Sequence, residues 1–252
     1  MGRKTGPRPQ PLATLMRPQD LPTKASLSRL RVEYGKDERL AYLGHLEVIA
    51  TVERCIRRAG LPFSIGNGFA RRMRIQFSQA LPVGASSAHE YFDLRLDERV
   101  DVDRALEALR VSTPPALAPV RAAYVDGSMP ALEAWLDRSA WDVVVLGAPF
   151  SPAELDVAIA HVREAGALTY LRGDKEKSVD VSSALVSWEV GECADGISLA
   201  LATRSSNAGS LRPGVLVDGA CRLAGLDPYD VLRVRRTGQW HESDDGSLVE
   251  AL

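Results

Sequence analysis

Cysteine and histidine are scarce in this sequence, and their scarcity excludes several kinds of site. The 252 residues include three cysteines and four histidines. Cys55, Cys193 and Cys221 stand too far apart for a disulfide framework, or for the clustered CxxxCxxC thiolates that hold the [4Fe–4S] cluster of a radical-SAM catalyst. No histidine stands at a metal-ligand spacing. We therefore expect no metal, no cofactor and a reducing, cytoplasmic setting.

Long apolar runs are also missing. No stretch of 18 apolar residues occurs, and the N-terminus lacks the apolar core of a signal peptide, so we expect neither a membrane span nor secretion. A net charge of −2 argues against non-specific binding to nucleic acid by the whole molecule. Positive charge is concentrated, however, because residues 29–74 contain ten lysines and arginines against five acids. This segment is therefore the candidate for binding an anion.

The order of the predicted elements indicates two similar α+β units. Residues 1–25 contain five prolines and no aromatic residue, which predicts a flexible, mildly basic tail. Strand and helix patterns then follow the order β-α-β-β-α-β over residues 26–126 and again over residues 127–240, before a C-terminal tail at 241–252. We expect a tandem pair of ferredoxin-like units, each with a four-stranded antiparallel sheet and two helices on one face. The face of each sheet opposite its helices must then be covered by the other unit or by a ligand.

In the second unit, cap signals define the start of one helix. Ser151 precedes Pro152, and Glu154 stands at the third helical position, which is the pattern of a capping box. The strands predicted in this unit are Trp141–Leu146, Leu168–Leu171, Ile197–Ala202 and Val231–Val234.

A basic amphipathic helix is predicted over residues 43–60. At 100° per residue its apolar stripe is expected to contain Leu46, Ile49, Val52, Ile56 and Ala59. Gly60 and Pro62 end the helix. The arginines predicted on the opposite, solvent side are Arg54, Arg57 and Arg58.

The loop after this helix, residues 66–74, combines glycines, an aromatic residue and arginines. Gly66 and Gly68 allow close approach of another backbone, and Phe69 offers a face for a base. Three arginines are suited to phosphate, namely Arg71, Arg72 and Arg74. The alternative is a solvated turn. We predict that the loop returns toward the N-terminal end of the helix, so that both form one continuous RNA-binding surface.

His45 is the candidate catalytic residue. It follows Gly44, the predicted N-cap, and a helix N-terminus attracts anions and lowers the pKa of an imidazole, as suits a neutral base beside a phosphate. Its angular position also lies on the apolar stripe, so a purely structural role stays open. Further along the chain, Ser210 and Arg212 precede a helix that begins at Pro213, and its backbone N–H groups are a second candidate for phosphate.

The segment LGHLEVIATVERCIRRAGLPFSIGNGFARRMRIQFSQALPVG, residues 43–84, resembles the signature of a bacterial family of radical-SAM-associated proteins. Val179–Val181, Gly209–Pro213 and Arg235–Gly238 match further parts of that family, so the resemblance covers roughly residues 26–240. Gly44 stands where the family usually has serine, and Ala70–Met73 replaces an Asn-Pro-Arg-Pro sequence. The resemblance implies a radical-SAM protein as partner. The two-unit architecture is also similar to that of the CRISPR RNA-processing endoribonucleases.

These observations lead to one interpretation and two alternatives. We expect an RNA-binding accessory protein that serves a radical-SAM enzyme as a substrate-presenting or docking module. The first alternative is a metal-independent endoribonuclease, or another phosphoryl-transfer enzyme, that uses His45. The second is a protein–protein adaptor without affinity for RNA.

Overall fold

The computed structural model describes residues 27–67, 70–206 and 209–252. These residues form a mixed α+β fold with six α-helices and a mostly antiparallel sheet, so the predicted class is confirmed. The tail predicted at 1–25, and Gly68 and Phe69 of the basic loop, lie outside the described residues. In the described part, no helix has both the length and the apolar character needed to cross a membrane.

The first half of the fold follows the order β-α-β-β-α-β. Its strands lie side by side as a second, third, first and fourth strand, and each neighbouring pair is antiparallel. Leu30, Phe92 and Leu94 of the sheet pack with Ile56 and Leu109 of the two helices in one core. The elements are β1 (Ser28–Lys36), α1 (His45–Arg58), β2 (Ile75–Phe77), β3 (Ala85–Leu96), α2 (Val102–Ser112) and β4 (Pro119–Val125).

The second half begins with a short connecting helix and adds a second group of strands. Its elements are α3 (Leu132–Trp135), β5 (Arg138–Leu146), α4 (Pro152–Ala165), β6 (Ala167–Arg172), β7 (Lys175–Asp180), α5 (Val181–Ala184), β8 (Leu185–Cys193), β9 (Gly196–Ser206), β10 (Gly209–Ser210), α6 (Pro213–Ala224), β11 (Val231–Glu242) and β12 (Leu248–Val249). The main strands lie in the order β8-β9-β5-β11. The predicted capping box of α4 is confirmed, since Ser151 N donates to Glu154 Oε2 at 2.7 Å and Ser151 Oγ accepts from Glu154 N.

The two halves share one sheet, which corrects the prediction of two separate sheets. β11 pairs with β5 and, in parallel, with β3, from Val234 opposite Ala85 to Arg236 opposite Ser87. β2 has only three residues and pairs with only the later part of β3. The beginning of β3 would otherwise be an open edge, and β11 occupies it. Ten of the twelve described strands therefore form one sheet.

The strand predicted at 168–171 forms, as β6, but the prediction that it belongs to the main sheet is wrong. β6 pairs with β7 in a separate hairpin, and β8, which the sequence analysis did not predict, takes the position beside β9. Leu168 packs against α6 instead, where a Cβ on Gly219 would lie 2.5 Å from Leu168 Cδ1. Glycine at this position leaves the space that docks the hairpin on α6.

The face of the first half opposite its helices is covered by the chain itself. Arg29 donates to the carbonyl oxygens of Met129 and Pro130, and Arg31 donates to that of Ala251. Residues 241–252, predicted as a tail, continue β11 to Glu242 and contribute β12 and the buried Ala251. The corresponding face of the second half carries exposed residues, namely Asp142, Glu189 and Ala200.

Candidate nucleic-acid interface

Helix α1 carries its arginines toward its C-terminal end. Gly44 is the N-cap, as predicted, and its N–H donates to Glu47 Oε2 at 2.8 Å. Gly60, with a φ of 66°, ends the turn after the helix. The predicted apolar stripe is wrong at Leu46, which is 78% exposed, because it lies roughly 120° from Val52 around the helix axis. The residues that are buried are Val48, Val52, Cys55 and Ile56.

The end of the helix and the loop after it adjoin. Arg57 donates to Glu53 Oε2 at 3.4 Å, and its guanidinium lies 5.7 Å from the ring centre of Phe63, on the segment that leads into the loop. Arg54 and Arg58 are exposed on the same helix end. We call the arginines of this helix end and of the loop the basic surface: Arg54, Arg57, Arg58, Arg71, Arg72 and Arg74.

The loop 66–74 is closed by two backbone hydrogen bonds. Gly66 N donates to Arg72 O at 2.8 Å, and Arg74 N donates to Ser64 O at 2.9 Å. Arg71 adopts a left-handed conformation with a φ of 44°, which is uncommon for a residue with a side chain. Both Arg71 and Arg72 are exposed. The loop therefore presents two arginines to solvent from a narrow, hydrogen-bonded base.

A pocket of about 290 Å³ lies between this loop and the sheet. One wall contains Asp93, whose carboxylate already accepts from Arg29 Nε at 2.7 Å and Arg31 Nε at 2.8 Å. Arg95 in the same wall pairs with no carboxylate among the described residues and donates to backbone carbonyls. Burial, and then the charge of Arg29, lowers the pKa of Arg95. Since Arg74 also lines it, the pocket favours an anion. Its residues are Gly66, Asn67, Arg74, Ile75, Gln76, Asp93 and Arg95.

His45 lies at the opposite end of α1 from the loop. Its half-buried ring meets Phe77 edge-on, with 5.9 Å between ring centres. Burial is the main cause that lowers the pKa of His45, while the charge of Glu90 acts in the opposite direction. The predicted return of the loop toward His45 is wrong, because Phe63, on the segment that leads into the loop, packs against Arg57 in the last turn of α1. The structure therefore does not bring His45 together with the loop arginines.

Ser210 and Arg212 also lie elsewhere, in a cleft of about 540 Å³ between the two halves. Helix α6 begins at Pro213, as predicted, with Arg212 as its N-cap. None of the described arginines of the basic surface lines this cleft. Its residues are Gln79, Ala80, Ala131, Glu133, Ala134, Asp137, Arg172, Ser205, Ser206, Gly209, Ser210 and Arg212.

Arg95 is a site residue that the sequence analysis missed. Asp93 and Arg95 alternate with leucines along β3, which indicates a strand with one face toward water. The register contains the missing signal: Arg31 stands opposite Asp93, and Arg29 stands opposite Arg95 on the neighbouring strand. At the end of this face nearest the pocket, three arginines stand against one aspartate and leave a local surplus of positive charge.

Comparisons with known proteins give a family and distant structural likenesses. The family described as "Uncharacterized protein conserved in bacteria (DUF2344)" matches residues 29–213. No curated protein matches the sequence. Similar solved structures include a Cbf5-Nop10-Gar1 complex, with 10% identity over 91% of this chain and a TM-score of 0.44. Another is an archaeal box H/ACA sRNP Nop10-Cbf5 complex, with 8% identity over 84% of this chain and a TM-score of 0.39. This chain covers 55% and 48% of those chains, and TM-scores this low carry no argument about function.

Proposed function

The chain belongs to a family of proteins conserved in bacteria, DUF2344, and we propose that it binds single-stranded RNA and presents that RNA to a radical-SAM enzyme. The observation that carries the RNA-binding part is the basic surface beside the 290 Å³ pocket. Exposed guanidinium groups bind phosphates by charge and by paired hydrogen bonds. The pocket adds Arg95 and the amides of Asn67 and Gln76, which suit an unstacked nucleotide more than a stacked duplex.

The radical-SAM part of the proposal rests on the motifs of residues 43–84 and on the cysteines. Among the described residues no three side chains of Cys, His, Asp or Glu gather as metal ligands, so the three cysteines do not form a cluster site. A radical reaction on a bound RNA therefore requires a second protein. Co-expression with a radical-SAM protein encoded beside this one, followed by pull-down, should recover a complex. Two folded proteins that fail to associate would contradict this part.

We interpret the two halves as ferredoxin-like units, residues 26–126 and 127–240, in a cytoplasmic protein. The supporting observation is that β2-β3-β1-β4 and β8-β9-β5-β11 have the same arrangement, with the second, third, first and fourth strands of each half side by side. In this interpretation β6, β7 and α5 are an insertion in the second unit. The arrangement supports the fold alone, because the same fold serves many functions.

The RNA proposal is tested by the salt dependence of binding. If four to six arginines contact phosphates, log K for a single-stranded oligonucleotide should fall against log[salt] with a slope of about −3 to −4. Replacing Arg71 and Arg72 together by alanine should make the slope shallower by about 1.4 and weaken binding to all sequences. The matched control replaces Arg104 and Arg163, two exposed arginines on α2 and α4, and should change neither value beyond the general effect of charge. An Arg71/Arg72 variant that binds like wild type, with the same slope, would show that the loop is a solvated turn.

The same measurements separate the two alternatives. A ribonuclease that uses His45 predicts RNA cleavage without metal, and loss of cleavage with binding intact in His45→Ala. An adaptor predicts no affinity for RNA even at low salt, together with a stable complex with the radical-SAM protein.

A further inference from the structure

The cleft between the two halves is distinct from the basic surface, and we infer that it is a second site, which binds the phosphomonoester group of a nucleotide. Its volume, about 540 Å³, is in the range of small-ligand sites, roughly 300–1,000 Å³. It lies between the loop after β2, the helix α3, the strand end of β9 and the start of α6. Both halves therefore contribute to its walls.

The start of α6 forms the wall suited to phosphate. The first hydrogen bond within the helix runs from Leu216 N to Arg212 O, so the N–H groups of Gly214 and Val215 precede it. No side chain caps this helix end. Such N–H groups and the positive end of the helix dipole attract anions. Ser210 and Arg212 lie on the same wall, and they add a hydroxyl and a guanidinium.

Arg236 is an independent observation that points to a ligand at the same place. It is 2% exposed and lies with its guanidinium 4.7 Å from the ring centre of Trp141. Its Nη1 donates to Gln79 O at 3.1 Å and pairs with the buried carboxylate of Glu90 at 3.2 Å, but its Nε has no hydrogen-bond partner among the described residues. With Ser210 and Arg212 it lines a recess of about 20 Å³ at the inner end of the cleft, space for a single oxygen. A buried N–H without an acceptor costs free energy, so an oxygen atom bound in the recess would stabilise the Nε–H of Arg236 by accepting its hydrogen bond.

The opposite side of the cleft carries acids, which defines the rest of the ligand. Glu133 of α3 is exposed on this side, and Asp137, which directly precedes β5, also lines it, with its Oδ1 accepting from Glu242 N at 2.8 Å and its Oδ2 left for a ligand. A free phosphate ion would gain nothing from these carboxylates. Hydroxyl and amino groups donate to carboxylates, so a ribose or a base fits here when the phosphate lies at α6. A free nucleotide and the phosphorylated end of an RNA both offer this chemistry.

The test is a calorimetric titration of the full chain with adenosine 5′-monophosphate, adenosine and inorganic phosphate. We expect the monophosphate to bind more tightly than either fragment. Arg212→Gln should weaken it about tenfold or more, the effect of losing one charged hydrogen bond. Glu133→Gln should weaken the monophosphate and leave inorganic phosphate unchanged. Ser210→Glu, at an exposed position, should abolish binding by repulsion. The control Arg222→Gln, in the last turn of α6, should have no effect.

A competing dinucleotide distinguishes the two sources of the phosphate. Displacement of the monophosphate by a 5′-phosphorylated dinucleotide, but not by its unphosphorylated form, assigns the site to an RNA end. Resistance to both assigns it to a free nucleotide. The Arg71/Arg72 variant should bind the monophosphate like wild type, so this inference can fail or hold independently of the RNA-binding proposal. Equal affinity for adenosine and its monophosphate, or equal effects of the Arg212 and Arg222 changes, would overturn it.

Discussion

Replacing Asp93 by asparagine tests whether one carboxylate holds the covered, charged face of the first half together. Asp93 is 2% exposed and accepts hydrogen bonds from both Arg29 and Arg31, which are buried as well. An asparagine there keeps the shape but leaves two buried guanidinium groups without a counter-charge. Removing one partner of a buried ion pair costs about 3–5 kcal/mol. At about 2–4 °C per kcal/mol for a chain of this size, the Tm should fall by about 6–20 °C.

Urea unfolding followed by tryptophan fluorescence measures this loss directly. Trp135 is a suitable reporter because its ring lies 5.1 Å from the guanidinium of Arg31. The control Asp97→Asn changes an exposed carboxylate next to the same strand and should stay within about 0.5 kcal/mol of wild type. Below its Tm the Asp93 variant should bind RNA at least as tightly as wild type, since the arginines remain and the pocket wall loses a negative charge. A loss under about 1 kcal/mol in the Asp93 variant would refute the reasoning.

Three further predictions concern packing and pH. Ile56→Ala should cost about 2–5 kcal/mol in urea unfolding, whereas Leu46→Ala, at an exposed position of the same helix, should stay within about 0.5 kcal/mol. Gly219→Ala should cost about 1–3 kcal/mol in the same assay, because the new Cβ would meet Leu168. Burial lowers the pKa of His45 below 6.5, so NMR titration should give a midpoint under that value. As the pH falls, the unfolded chain takes up this proton before the folded one. The contribution of neutral His45 to the free energy of unfolding is therefore present above about pH 6.5 and is lost as the pH falls through the folded pKa. His45→Phe should remove this part of the pH dependence of unfolding, measured from pH 8 to 5.

Features with local causes could be predicted from the sequence. The start of α4 follows from Ser151 and Glu154, whose side chains and N–H groups bond to each other within one turn. The N-cap at Gly44 and the exposed arginines of α1 follow in the same way from neighbouring residues. Each of these features depends on residues at most a few positions apart, so it forms in the same way whatever the distant parts of the chain do.

Features that depend on distant partners could not be predicted. β8 carries a strand signal that the sequence analysis missed, since Trp188 and Val190 pack toward the core and alternate with the exposed Ser187 and Glu189; only its place beside β9 depends on a distant partner. The parallel pairing of β11 with β3 depends on how much of β3 the short β2 leaves open. Arg95 became a candidate site residue only once the register placed it opposite Arg29.

The pairing of β11 with β3 also has a consequence for the order in which the chain can fold during synthesis. When residues 26–126 leave the ribosome, the beginning of β3 can pair with β1 on one side, but its other edge is open, and β11, the strand that will pair with that edge, follows more than a hundred residues later. The hydrogen bond from Arg31 to Ala251 O forms later still, because the two residues are 220 positions apart. Contacts this distant slow folding, and an unoccupied strand edge invites pairing with other chains. We therefore expect this protein to depend most on chaperones while only its first half has been synthesised. That dependence should end when β11 pairs with β3 and closes the open edge.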